Sequence, residues 1–138
     1  MRLFMTVVSI GLFLTLSVVA EAHHSAVNFW FTDREVEIEG VVLEVKMVNP
    51  HPELVLEVTE PNGETTVWRI SGGGHATGMI RGGWRQDTLP AGMKVKVSGN
   101  PSRQEGAKAL LAGNVTRPDG TVVNFSSGAA RTGVVVSQ

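Results

Sequence analysis

The chain has 138 residues, 18% of them charged, and a formal net charge of −1 at pH 7. It contains no cysteine, which excludes a disulfide scaffold, a lipid-modified N-terminal cysteine and a thiolate metal site. Acidic and basic residues are interspersed with no basic patch or arm, so nucleic acid is not an expected partner.

The first segment reads as an export signal. Arg2 supplies a positive charge, residues 3–20 are apolar apart from small polar residues, and Ala20-Glu21-Ala22 has the small-x-small form of a cleavage site. There is no twin-arginine pair, which points to the general export route. A retained anchor is the alternative, because a span of this length is near what crosses a bilayer. Cleavage after Ala22 divides the chain into a signal peptide over 1–22, one small domain over 23–125 and a loosely held tail over 126–138. The product is expected to be periplasmic or secreted, and to meet the membrane only through its leader before cleavage.

Nearly everything after the cut has the pattern of strands. Residues 35–48 form a long valine-rich strand, with Val36 and Ile38 alternating against Glu35, Glu37 and Glu39. Gly40 interrupts it and suggests a bulge or tight bend. Asn49-Pro50-His51-Pro52 is a turn. A second strand carries Leu54, Leu56 and Val58 on one face, and Pro61-Asn62-Gly63-Glu64 marks a hairpin. A third strand spans 65–71. After Gly72-Gly73-Gly74, residues 75–81 have room for one or two helical turns, although Gly78 and Gly82 make a poor helix. Further strands follow over 94–98, 109–116 and 121–125, separated by the Leu89-Pro90-Ala91-Gly92 and Pro118-Asp119-Gly120 turns. Three strands, a short helical break and two or three more strands give an all-β fold. The order matches a small five- to six-stranded barrel of the oligonucleotide/oligosaccharide-binding (OB) type. A small sandwich or a jelly-roll fragment is the alternative.

The run Ala22-His23-His24-Ser25, the Asn49-Pro50-His51 turn behind a valine-rich strand, Gly83-Trp84-Arg85 and the Leu89-Pro90-Ala91-Gly92 turn together resemble a family of small exported bacterial proteins of unknown function. The similarity covers most of the domain after the cut. It implies a periplasmic all-β domain and carries no activity. Pro52 and the Gly72-Gly73-Gly74-His75 stretch depart from the family's pattern, so the resemblance implies no role for His75.

The chemistry lies in the histidines. Cleavage after Ala22 leaves His23 as the first residue, and its α-amino nitrogen and ring Nδ1 can close a six-membered chelate on one metal ion. An α-amine titrates at about 7.7–8.0, so a metal displaces its proton near neutral pH. Nitrogen donors suit copper(II), zinc and nickel, with the highest affinity for copper. Met47, Met79 and Met93 do not cluster into a site for copper(I). His51 is the candidate third ligand, because Pro50 and Pro52 stiffen its loop and hold it extended. His24 points away from His23 in an extended chain, and is placed to orient the site or to bind in its stead. His75, beside three glycines, is within reach but on a flexible stretch. Asp33 and Glu35 are candidate acceptors behind the ligands; a solvated strand start explains them equally.

Other residues point to packing. Trp68 and Trp84 are expected in the core, and Phe29-Trp30-Phe31 is expected to pin down the N-terminal arm. Gly72-Gly73-Gly74 lacks the lysine and Ser/Thr of a phosphate loop. Ser25 has no recognisable His-Asp partners. Glu53 and Glu57 alternate along a solvated strand face and are no glycosidase pair. The sequence thus leads to a periplasmic copper(II) carrier or buffer with metal ligands His23, His24 and His51, zinc as the alternative ion, and no catalytic residues. Another periplasmic protein is a candidate partner. The competing reading is a barrel that binds a protein or saccharide without metal.

Overall fold

The chain is described by a computed structural model over residues 26–125. The expected signal peptide over 1–22, His23, His24 and the tail from Ser126 lie outside the described residues.

Alternation builds the barrel wall. Strand β1 (Val36–Lys46) is long enough to serve two neighbours. Its first half pairs antiparallel with β4 (Lys94–Pro101), from Val36 opposite Gly99 to Val41 opposite Lys94. Its second half pairs with β2 (Glu53–Thr59), from Val41 opposite Glu57 to Lys46 opposite Glu53. A strand shared in this way must bend. The bulge that bends it is not at Gly40, as the sequence suggests, but between Val42 and Glu44. Leu43 is the extra residue, and it is exposed. Gly40 serves a different purpose. A Cβ there would lie 2.7 Å from the Glu57 carbonyl oxygen and 2.9 Å from Val58 Cγ2, so the neighbouring strand approaches too closely for any side chain.

The remaining strands are β3 (Thr65–Gly72), β5 (Ala109–Thr116) and β6 (Val122–Asn124). The sheet order is β3-β2-β1-β4-β5-β6, and β3 also pairs with β5 in parallel. That pairing closes five strands into a barrel, with β6 added beside β5. Closure distinguishes an OB-type barrel from the sandwich alternative, whose two sheets stay open.

The interior takes alternate residues of every barrel strand, among them Val42, Leu54, Leu56, Ile70, Val97, Leu110 and Val115. One short helix, α1 (Ala76–Arg81), falls between β3 and β4 as expected. Helices this short are unstable alone and depend on packing. Here Ala76 and Met79 are buried, and Met79 joins the core. Just beyond α1, Trp84 is fully buried edge-on against Phe125, with ring centres 5.3 Å apart. Trp68 is half-buried against the core, and its indole N–H donates to Glu60. No helix among the described residues is long and apolar enough to cross a membrane.

Candidate functional site

An open groove of about 860 Å³ lies over the seam where β3 meets β5. Ser71 of β3 sits opposite Leu111 of β5, and both line the groove together with Ala109. One wall is made by two loops. The first, between β1 and β2, carries His51; the second, between β3 and α1, carries His75. The other wall is the N-terminal arm, from Ala26 through Trp30, with Ser102, Arg103 and Gln104 behind it.

Packing brings the two histidine loops together. Pro52 is buried, and a Cβ on Gly72 would come within 2.6 Å of the Pro52 ring and 3.0 Å of the Phe125 carbonyl oxygen. Only glycine lets these segments meet. The contact is sealed by the Gly72 amide, which donates to the Pro52 carbonyl at 2.8 Å. Asn49 donates through Nδ2 to Thr77 Oγ1 at 3.3 Å, tying the turn to the first residues of α1.

The histidines follow from that join. Both rings are exposed, with their centres 6.1 Å apart and their planes within 14° of parallel. His75 Nδ1 lies 3.1 Å from the Pro50 carbonyl oxygen. A carbonyl only accepts, so Nδ1–H is the donor, and in the neutral ring Nε2 keeps its lone pair. His51 makes no hydrogen bond to another described residue. The stretch expected to leave His75 flexible instead holds it at the first turn of α1, hydrogen-bonded to the loop that bears His51.

The Phe29-Trp30-Phe31 run holds the arm as expected, but through its backbone and the Phe31 ring. Phe29 is more than half exposed, so burial of its ring does not pin the chain. Arg103 does that work: Nε donates to the carbonyls of Val27 at 2.7 Å and Trp30 at 3.1 Å. Its amide donates to the Phe29 carbonyl, and its guanidinium covers the Phe31 ring at 4.5 Å. Arg34 stacks on the same ring at 3.9 Å. Trp30 forms a bridge with Ser102, and the Phe31 amide donates to Pro101. Nothing in the sequence marked Arg103, because its partners are backbone carbonyls some seventy residues away.

Asp33 and Glu35 are not among the groove residues; Asp33 is exposed beside Arg34 at 4.0 Å. No carboxylate among the described residues lines the groove. Among the described residues no three His, Cys, Asp or Glu side chains gather in one place. The described wall therefore offers a pair of imidazoles, His51 and His75. His23 and His24 lie just ahead of Ala26, outside the described residues, so the structure does not place them.

The chain belongs to DUF6152, a family of unknown function whose model matches residues 12–112. No curated protein matches it.

Proposed function

We propose that this chain is an exported periplasmic metal-binding protein, a copper(II) carrier or buffer. Its site joins the α-amine and ring of His23, freed by cleavage after Ala22, to the imidazole of His51. The observation that supports this is the position of Ala26, which lines the same groove as His51. His23 is three residues before Ala26, and three residues of chain reach about 10 Å. Arg103 holds the arm against the barrel, so the entropy cost of gathering the terminal donors is reduced. His24 orients the site or takes the place of the His23 ring.

The donor set favours copper(II), with zinc as the second choice. There is no thiolate, and Met79 is fully buried, which leaves no soft cluster for copper(I). A competing reading has its own observation: Phe29 and Trp30 both line the groove, and aromatics there suit a peptide or saccharide.

Calorimetry separates the two. The chain beginning at His23 should take up one copper(II) tightly. One residue added before His23 removes the amine chelate and should weaken uptake by at least about tenfold. Absence of tight uptake, or uptake indifferent to the added residue, overturns the terminal site and favours the metal-free binder. Mass spectrometry of the exported protein checks the premise that it begins at His23.

A further inference from the structure

We propose that His51 and His75 form a two-imidazole transition-metal site that belongs to the barrel itself and does not require the leading residues of the chain. This goes beyond the terminal copper site, in which His75 has no part, and it stands if cleavage occurs elsewhere.

Two imidazoles bound to one ion at about 2.0 Å each have ring centres at most roughly 6.3 Å apart, counting both ring radii. The observed separation is 6.1 Å. The two rings therefore stand within that limit, but their planes are nearly parallel, so a shared tetrahedral ion, which sets ring centres about 5 Å apart, requires the His51 ring to turn and close on Nε2 of His75. His51 is exposed and makes no hydrogen bond to another described residue, so its side chain is free to turn onto an ion.

The second observation concerns the proton. Histidines that bind metal commonly donate their other ring N–H to a carbonyl or carboxylate, which fixes tautomer and ring orientation. His75 does this before any metal arrives: Nδ1–H donates to the Pro50 carbonyl, and Nε2 is left as the donor atom. The carbonyl belongs to the residue immediately before His51. A single hydrogen bond therefore orients one candidate ligand and ties it to the loop of the other.

The third is rigidity. Three hydrogen bonds link the two loops: His75 to Pro50, Asn49 to Thr77, and Gly72 to Pro52. Buried Pro52 and Ala76 flank the pair along the chain. Water fills the remaining coordination positions when the terminus does not. Two neutral imidazoles without a thiolate or carboxylate fit zinc(II) or copper(II) and give a weaker site than three nitrogens.

The test uses the chain from His23 to Gln138 with one residue added in front and with His23→Ala and His24→Ala, so that the terminus cannot chelate. Zinc(II) is titrated while the imidazole nitrogens are followed by long-range 1H–15N NMR. Before zinc, His75 should show the Nδ1–H tautomer. On titration, the nitrogens of His51 and His75 should move together and saturate at one zinc per chain. His51→Ala or His75→Ala should each weaken binding by at least about tenfold, as removal of groups that shape a metal site does. Amide spectra of both variants verify folding. Zinc that moves neither ring, or moves one and ignores loss of the other, overturns the proposal. The terminal copper site is judged separately, by the effect of the added residue on the unsubstituted chain.

Discussion

The two walls of the groove are held by different physics. The wall bearing His51 and His75 rests on packed structure: Pro52 is buried, Gly72 excludes a side chain, and Ala76 is buried at the start of α1. The arm wall is a single 3₁₀ turn, Ala26–Asn28, with no buried residue. It is attached through Arg103, a few backbone hydrogen bonds and stacking on Phe31. The first wall is anchored by buried residues and the second through an exposed side chain, so local detachment is expected first at the second. A metal held by both would find one half pre-organised and the other tethered. That difference suits a carrier, which must release as well as bind.

Removing a core side chain on which the whole barrel depends gives the largest effect. Trp84→Ala should cost about 3–5 kcal/mol, because a fully buried indole leaves a cavity against Phe125. Thermal unfolding measures it, and both walls should be lost in one transition. Gly72→Ala strikes the join beneath the histidine wall. The new methyl meets the Pro52 ring and the Phe125 carbonyl, so a cost of about 1–3 kcal/mol is expected. Zinc response of the His51 and His75 rings should fall in the same variant. An unchanged melting temperature would show that the two loops do not depend on this contact.

Arg103→Ala is the converse. It removes two hydrogen bonds to the arm and the cover over Phe31, at about 1 kcal/mol or less for an exposed side chain. Hydrogen exchange should quicken at the Phe31 amide, and copper uptake through His23 should weaken. The response of the His51 and His75 rings to zinc should persist. Equal loss at both walls would abolish the distinction between them.

The smallest effect tests the barrel away from the groove. Glu60 accepts from Lys108, Thr66 and Trp68, and these contacts, Lys108 foremost, lower its carboxyl from the ordinary 4.5 to about 2. A carboxyl lowered by folding adds stability that is present above its ordinary value and is lost as pH falls towards its folded value. Stability should therefore decline between about pH 4.5 and pH 2. Glu60→Gln should flatten that decline without moving the His51 and His75 signals. An acid limb identical in variant and parent would assign the decline to other carboxylates.

Much of this molecule is legible in its residue pattern. Leu54, Leu56 and Val58 alternate and line the core; β5 spans the predicted residues 109–116; α1 falls where the glycine-rich break suggested. Alternation is a local consequence of the two faces of a strand, so a single sequence displays it. Gly40 was harder to read. A glycine in a strand fits a bulge or a close approach equally, and which one applies depends on the opposite strand, here Glu57 and Val58. Half of the imidazole pair was also legible, since the two prolines mark His51 as a presented residue. His75 was not, because its orienting partner is a backbone carbonyl 25 residues earlier.

By itself the sequence determined the set of strands, the turns between them, the absence of thiol chemistry and the placing of two histidines directly after a small-x-small site. Those depend on side-chain type and near-neighbour spacing. Tertiary structure alone decided that β3 and β5 run parallel and close the barrel, that Gly72 meets Pro52, and that His51 and His75 stand face to face over the groove. The reason is that backbone carbonyls and amides are the same in every residue. Contacts made through them leave no trace in composition or periodicity until the chain has folded.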